Sequence, residues 1–224
     1  MTIPQFNTLK DLFDFSTSSY KTNRAFSYAD GVSYNYQEFG DKTREIANIL
    51  LEHGVESGEK VAILGQNMPN WPVAFFAASA YGFVSVPLLP DFSEFELTNI
   101  LEHSGSKVLF VSSRLLYKIP QEIRERMAVV IELDSLKILH SGQKSSAAEF
   151  SYPKESDLAT IIYTSGTTGN SKGVMLTHYN VCKHLHSAYK LRPGYQWDVW
   201  LSILPLSHTL ESSLGMLLPM VSGS

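Results

Sequence analysis

Short, continuous apolar runs alternate along the chain with segments in which the apolar residues have helical spacing. The apolar runs predict buried strands at residues 61–64, 83–86, 107–111, 129–133 and 158–163. The helical spacing predicts helices over residues 36–53, 71–81 and 93–103. Because parallel strands are joined by crossovers that are usually helices, this order predicts an α/β fold with mostly parallel sheets and helices on both faces.

Residues 61–90 contain no charged side chain, and residues 71–89 alone would be long enough to span a membrane. The stretch nevertheless contains Pro69, Pro72, Gly82 and Pro87, and these breakers fall where a strand–helix–strand unit would need them, with Pro72 in the first turn of the helix. Strands covered on both faces of a parallel sheet also lack charge. We therefore interpret this stretch as buried core.

The segment between His140 and Pro153 has little periodicity and is rich in Ser, Ala and Gly. Such a composition is typical of a linker. We expect residues 1–150 to form a first α/β lobe and residues 151–224 to begin a second lobe that carries the functional segment.

The composition narrows the class of protein. The 224 residues include 18 basic and 22 acidic side chains, so the net charge of −4 argues against a nucleic-acid-binding surface. Cys182 is the single cysteine, which excludes an intrachain disulfide and indicates a reducing compartment. The first ten residues do not resemble a secretory signal. We expect a cytoplasmic protein.

The strongest candidate for chemistry is the segment 164–173, which directly follows the last predicted strand. It contains three glycines, five hydroxyl side chains and Lys172. Glycines let main-chain N–H groups approach an anion, hydroxyls donate hydrogen bonds and a lysine adds positive charge, so the segment predicts a phosphate-binding loop. Because Ser171 precedes Lys172 and Gly173 follows it, this is not a Walker A loop. A Ser/Gly-rich surface loop without a ligand remains the alternative.

A second candidate is a row of possible metal ligands on one helical face. His178, Cys182 and His186 are four residues apart, a spacing that zinc ligands can adopt. No second ligand-bearing segment is evident, so structural histidines on an amphipathic helix are the favoured interpretation. Nothing around Cys182 indicates an activated nucleophile.

Residues 161–180, IIYTSGTTGNSKGVMLTHYN, closely resemble the signature of the adenylate-forming superfamily of acyl-CoA synthetases, peptide-synthetase adenylation domains and luciferases. Residues 55–63, Asn67, Trp71 and residues 82–87 and 107–111 also resemble the amino-terminal half of these enzymes. Residues 204–211, LPLSHTLE, resemble the next family motif in the form of the long-chain acyl-CoA synthetases. One departure is Ser171, where the family most often has proline.

The resemblance implies a fatty-acid-CoA ligase that uses ATP, Mg²⁺ and coenzyme A by way of an acyl-adenylate. It places the β- and γ-phosphates of ATP on Thr164, Ser165, Gly166, Thr167, Thr168, Gly169 and Lys172. Thr164 would also help to hold Mg²⁺, and His208 would be the catalytic residue beside the acyl carboxylate, whereas Glu211 receives no role. An enzyme for another carboxylate, such as an aryl or amino acid, and a non-catalytic nucleotide-binding or scaffolding module remain alternatives.

Enzymes of this superfamily are much longer than 224 residues, so the resemblance also implies the amino-terminal part of their large domain. We expect the chain alone to be inactive. The apolar run at residues 214–221 is expected to be exposed and to favour self-association. A peripheral association with membranes is a further hypothesis.

Overall fold

A computed structural model describes residues 5–29, 31–144, 149–164 and 172–224. The helices are α1 (Leu9–Ser19), α2 (Tyr36–Glu52), α3 (Asn70–Ser79), α4 (Glu94–Ser104), α5 (Gln121–Glu125), α6 (His178–Leu191) and α7 (Leu218–Ser222). The strands are β1 (Arg24–Ser27), β2 (Ser33–Asn35), β3 (Lys60–Leu64), β4 (Val84–Leu88), β5 (Val108–Val111), β6 (Val129–Glu132), β7 (Ile138–Ser141), β8 (Leu158–Thr164) and β9 (Lys172–Thr177). A 3₁₀ helix covers Ser113–Lys118, and a π-helix covers Glu211–Leu217.

Seven of the strands form one sheet in the order β7-β6-β5-β3-β4-β8-β9. The five central strands are parallel, and the edge strands β7 and β9 are antiparallel to their neighbours. Strands β1 and β2 form a separate hairpin. The carboxyl ends of the five parallel strands therefore lie along one edge of the sheet. The predicted α/β fold with a mostly parallel sheet is confirmed.

Apolar layers cover both faces of the sheet, since successive residues of a strand point to opposite sides. Val61 and Ile63 face one layer together with Trp71 and Phe76 of α3. Ala62 and Leu64 face the other layer, which α4 completes. The uncharged stretch is thus buried core, as predicted. In the described part of the chain, no helix combines the length and the apolar character needed to cross a membrane.

The five predicted strands and three predicted helices are all present, with ends shifted by a few residues. Helix α4 also begins and ends as its sequence indicates. The Ser93 hydroxyl accepts a hydrogen bond from the Glu96 main-chain N–H while the Glu96 carboxylate accepts one from the Ser93 N–H, and Gly105 follows the helix with a left-handed φ of 63°. The sequence did not predict α1, the β1–β2 hairpin or the edge strands β7 and β9.

The division of the chain at residue 150 stays a prediction. Strand β8, which follows the expected linker, pairs in parallel with β4 and extends the same sheet. Residues 145–148 of that linker lie outside the described residues.

The expected exposure of residues 214–221 is wrong. Met216, Leu217, Met220 and Val221 are all at least 98% buried. The π-helix and α7, which carry them, pack against α6, and α7 also packs against α1. The Ser16 hydroxyl donates a 2.8 Å hydrogen bond to the Met220 carbonyl oxygen. The apolar run is therefore covered by helices from distant parts of the chain.

Candidate functional site

The ends of the predicted phosphate loop are held together by an antiparallel hairpin. Strand β8 ends at Thr164, β9 begins at Lys172, and these two residues are the last cross-strand pair. Strand β8 is also parallel to β4, so Thr164 lies at the carboxyl edge of the parallel sheet, where α/β folds hold ligands. The other predicted phosphate contacts, Ser165, Gly166, Thr167, Thr168 and Gly169, lie outside the described residues.

Thr164 and Lys172 are both exposed. Within the described residues, no carboxylate lies at ion-pair distance from the Lys172 ammonium group. The charge of this lysine is therefore not neutralised by a described neighbour. The Thr164 hydroxyl and the Lys172 ammonium group are thus on paired residues, and together such groups can bind the oxygens of a phosphate group.

The hairpin depends on a glycine directly after Lys172. A Cβ atom at Gly173 would lie 2.9 Å from Ile161 Cγ2 and 3.1 Å from Tyr163 Cζ. The absence of that atom lets the Tyr163 ring lie close to β9. The Tyr163 hydroxyl and His103 Nδ1 are 2.8 Å apart and share a hydrogen bond, which ties α4 to β8 one residue before Thr164. Burial raises the pKa of Tyr163, so its phenol stays neutral at pH 7.

His208 lies in a turn that leaves its side chain exposed. Its main-chain N–H donates to the Pro205 carbonyl oxygen at 2.8 Å, and its Nδ1 accepts from the Leu210 N–H at 3.3 Å. No hydrogen bond joins His208 to Thr164 or Lys172 among the described residues. The structure thus brings Thr164 and Lys172 together and leaves His208 without direct contact to them.

Asn67 connects the His208 segment to the same edge of the sheet. It follows the carboxyl end of β3, and its amide makes three hydrogen bonds with the segment that leads to His208. Nδ2 donates to Ser202 Oγ at 2.8 Å and to the Leu204 carbonyl oxygen at 2.7 Å, while Oδ1 accepts from the Leu206 N–H at 2.8 Å. Asn67 is one of the residues that resemble the family, and the resemblance implied no role for it. Its role is to anchor this segment.

Glu211 provides a second contact to the segment that leads to His208. Its side chain is 8% exposed, and Oε2 accepts a 3.3 Å hydrogen bond from the Leu204 N–H. A Cβ atom at Gly215 would overlap Oε1, so glycine at that position makes room for the carboxylate. The structure therefore gives Glu211, to which the sequence gave no role, a structural one in fixing the turn that contains His208.

A cavity of about 890 Å³ borders the same segment. It is lined by residues 23–29, 67–69, 196–202 and parts of the π-helix and α7. Neither Thr164, Lys172 nor His208 lines it. Among the described residues, the cavity is thus separate from Thr164 and Lys172.

The possible metal ligands on α6 have packing roles. His178 is fully buried, and its Nδ1 accepts a 3.1 Å hydrogen bond from the Leu9 N–H. Burial lowers the pKa of His178 to about 4 and raises the pKa of Cys182 to about 12, so both groups are neutral at pH 7. The ring of His186 lies 4.3 Å from that of Phe6. Over the described ranges, no three His, Cys, Asp or Glu side chains form a group that could hold a metal ion.

The fold and the position of the hairpin define a class, namely α/β proteins that carry polar ligand-binding residues at the carboxyl edge of a parallel sheet. A model of the family described as AMP-binding enzyme matches residues 13–224. The chain belongs to the AMP-binding enzyme family.

Individual relatives agree with this assignment. The chain is 33% identical to long chain acyl-CoA synthetase 7, peroxisomal, of Arabidopsis thaliana, over 93% of this chain and 34% of that protein. It is 30% identical to the medium-chain fatty-acid–CoA ligase of Escherichia coli, over 87% of this chain and 37% of that protein. The chain therefore spans about a third of the length of these relatives.

A solved structure with a similar fold is the O-succinylbenzoate coenzyme A synthetase of Bacillus subtilis in complex with AMP. It matches 94% of this chain and 53% of its own, with a TM-score of 0.76 and 27% identity. The three relatives are thus named as coenzyme A ligases or synthetases for different acyl groups.

Proposed function

We propose that this chain holds the phosphates of ATP between Thr164 and Lys172, as part of a ligase that activates a fatty acid for transfer to coenzyme A. One observation carries the proposal. The β8–β9 hairpin sets an exposed hydroxyl opposite an exposed lysine at the carboxyl edge of the sheet, at the two ends of the glycine-rich and hydroxyl-rich segment.

The proposed reaction has two steps. A carboxylate oxygen attacks the α-phosphorus of ATP, and pyrophosphate leaves as the acyl-adenylate forms. The thiol of coenzyme A then attacks the acyl carbon, and AMP leaves. Lys172 would act in the first step, because a positive charge beside the leaving pyrophosphate stabilises the negative charge that develops there.

His208 is proposed to lie beside the acyl carboxylate. Asn67 supports this role by holding the segment before His208 at the carboxyl edge of β3. Strands β3 and β8 flank β4 on its two sides, so this segment and Thr164 lie along the same edge of the sheet. A carboxylate near His208 and a triphosphate near Thr164 would approach each other along that edge.

Mg²⁺ would bind at this site only together with ATP. The described residues offer it the Thr164 hydroxyl and no cluster of acidic or imidazole ligands. Because Mg²⁺ commonly keeps water and phosphate oxygens as ligands, Thr164 would contribute one oxygen and ATP the others. When bound, the ion would neutralise charge on the phosphates.

A fatty acid is the proposed carboxylate. Residues 204–211 resemble the long-chain acyl-CoA synthetase form of their motif, and the relatives named above include a long chain acyl-CoA synthetase and a medium-chain fatty-acid–CoA ligase. The B. subtilis relative is named for O-succinylbenzoate, so the fold serves other acids as well.

Binding of ATP to the purified 224-residue chain tests the phosphate site. Lys172→Ala should weaken binding about tenfold or more, since a charge-assisted contact to phosphate contributes about 1.5–3 kcal/mol. Calorimetric titration with ATP and with AMP measures the effect, and AMP affinity should change little because AMP lacks the β- and γ-phosphates.

Lys107→Ala is the matched control. Lys107 is also exposed but precedes β5, at the opposite edge of the sheet. Equal ATP affinity in the Lys172→Ala variant and the parent chain, or an equal loss in the Lys107→Ala variant, would contradict the assignment.

The 224 residues alone are proposed not to form an acyl-adenylate. Groups that stabilise one transition state act non-additively, and this chain spans about a third of the named ligases. An assay of pyrophosphate release with ATP, Mg²⁺ and palmitate checks this. Turnover would show that the residues of this chain suffice.

A further inference from the structure

The carboxyl end of β8, which carries Thr164, is joined to the parallel sheet at only one point. The ladder between β8 and β4 has a single pair, Ser85 with Thr160. The later pairs of β8, up to Thr164 with Lys172, are all with the edge strand β9. Among the described residues, the main chain of residues 161–164 therefore pairs with a strand on one side only.

A proline in β4 explains why the ladder with β8 is so short. The Val84 N–H donates a 2.9 Å hydrogen bond to the carbonyl oxygen of Glu59, which directly precedes β3. Since the polar groups of successive strand residues point to alternate edges, Ser85 and Pro87 face β8. Proline has no N–H group, so β4 offers β8 no donor between Ser85 and its end at Leu88.

A side chain provides a second attachment of β8, next to Thr164. Tyr163 is 4% exposed, and its hydroxyl lies 2.8 Å from Nδ1 of His103, in the last turn of α4. The two rings also meet edge to face, with their centroids 5.8 Å apart. Within the described part of the chain, this is the only side-chain hydrogen bond that joins residues 161–164 to another element.

Helix α4 is a well-anchored support for this contact. Leu97, Ile100 and Leu101 are at least 98% buried in the apolar layer that also contains Tyr163. The packing of α4 therefore fixes His103 relative to the central strands of the sheet.

The Tyr163 ring also reaches the opposite strand of the hairpin. Tyr163 and Gly173 form the cross-strand pair next to that of Thr164 and Lys172. A Cβ atom at Gly173 would lie 3.1 Å from Tyr163 Cζ, so the ring lies directly over the glycine. One ring thus follows the position of α4 and contacts both strands beside the two candidate phosphate contacts.

We propose that His103 is a positioning residue of the phosphate site. By holding Tyr163, it fixes the two main-chain segments that carry the Thr164 hydroxyl and the Lys172 ammonium group, so that both groups reach the same triphosphate. This role rests on the proposed function, in which Thr164 and Lys172 hold ATP. Groups that bind a ligand must be held within about 0.5 Å of their productive geometry by the residues around them.

A double-mutant cycle in the 224-residue chain, followed by calorimetric titration with ATP and AMP, tests this role. Tyr163→Phe removes the hydroxyl, and His103→Phe removes the ring nitrogen while keeping an aromatic ring. Each variant should weaken ATP binding about three- to tenfold, as the loss of one hydrogen bond would, and leave AMP binding unchanged. The double variant should bind ATP as each single variant does, because either change alone already breaks the contact.

Two further variants separate positioning from a general loss of stability. Tyr34→Phe is the matched control, since the Tyr34 hydroxyl donates a 2.7 Å hydrogen bond to Asn70 Oδ1 that joins β2 to α3. It should lose stability as Tyr163→Phe does and keep its ATP affinity. His103→Asn should bind ATP within about twofold of the parent chain, because an amide can accept from or donate to the Tyr163 hydroxyl.

Amide hydrogen exchange of the chain without ATP measures the attachment itself. In Tyr163→Phe, exchange at residues 161–164 and 172–174 should be about three- to tenfold faster, while exchange in β5 and β6 should not change. Unchanged exchange at this end of the hairpin would overturn the role of His103.

The results with ATP distinguish this role from the proposed function. If Lys172→Ala weakens ATP binding and Tyr163→Phe does not, or if Tyr34→Phe weakens it equally, the role of His103 is wrong and the phosphate site stands. If Lys172→Ala binds ATP as tightly as the parent chain, the phosphate site is wrong, and the positioning role is wrong with it.

Discussion

At the scale of single residues, His178 illustrates how a side chain with catalytic or metal-binding potential serves packing instead. Its ring joins the first residue of α6 to the first residue of α1, because Nδ1 accepts the Leu9 N–H. Nδ1 can accept that hydrogen bond only while it carries no proton. Burial favours the neutral ring, although Asp157 and Asp11 oppose the effect.

The stability of the chain should therefore fall in mild acid. The pKa of His178 is about 4 in the folded chain and 6.5 as its ordinary value. The unfolded chain binds the proton more readily, so the stabilisation is fully present above pH 6.5 and is lost as the pH falls from 6.5 towards 4. Between about pH 7 and pH 4.5, the free energy of unfolding should decrease by about 2–3 kcal/mol through this group.

Urea unfolding across this pH range measures the effect. His178→Gln, which has no titrating ring, should lose this part of the pH dependence, while the contribution of the carboxylates remains in both chains. Identical pH profiles for the parent and the variant would show that His178 is not the group responsible.

At the scale of elements, the β8–β9 hairpin is the unit that shapes the candidate phosphate site. The continuous apolar run of β8 predicted a strand, whereas β9 was missed because this edge strand is only partly covered. Val174 and Met175 are adjacent and both exposed, so β9 lacks the alternation of a half-buried strand. Pairing with β8 creates the strand, and Gly173 permits the close approach.

Gly173→Ala should destabilise this hairpin. The added methyl group would press on Ile161 and Tyr163, at a cost of about 1–3 kcal/mol for overpacking, and should weaken the Tyr163–His103 hydrogen bond. Urea unfolding and amide hydrogen exchange of β8 measure the two effects. In the control Gly142→Ala, the added Cβ would meet only the Ala128 carbonyl oxygen at 3.8 Å, so a change within about 0.5 kcal/mol is expected. Equal stability of the two variants would contradict this account.

At the scale of the whole molecule, the last residues of the chain complete the packing of the first helices. The Asn23 side-chain amide donates to the Gly223 carbonyl oxygen at 2.9 Å, and the Tyr36 hydroxyl donates to that of Ser224 at 3.2 Å. Met220 is fully buried in the same core as Phe13 and Phe76. Residues about 200 positions apart thus stabilise each other.

Met220→Ala should lower the free energy of unfolding by about 2–5 kcal/mol, the usual cost of removing a large side chain from a core. Met175, which is 65% exposed on β9, provides the matched control. Met175→Ala should change the stability by no more than about 0.5 kcal/mol. Chemical denaturation of both variants measures the free energy of unfolding. A small decrease for Met220→Ala would mean that α7 contributes little to the core.

The sequence by itself determined the features that depend on local pattern. The spacing of apolar residues located five strands and three helices, Ser93 and Glu96 marked the start of α4, and residues 161–180 indicated the family. These signals are readable because strand and helix periodicities, helix caps and family motifs each lie within a short stretch of chain.

Only the tertiary structure decided which distant residues meet. It paired Thr164 with Lys172, joined Asn67 to the segment before His208, and buried the apolar run at residues 214–221 against α1 and α6. It also left Trp197, Val199, Leu201 and Ile203 exposed. The physical reason is that burial and hydrogen bonding depend on the neighbours that folding brings together, and the hydrophobicity of a segment does not specify those neighbours.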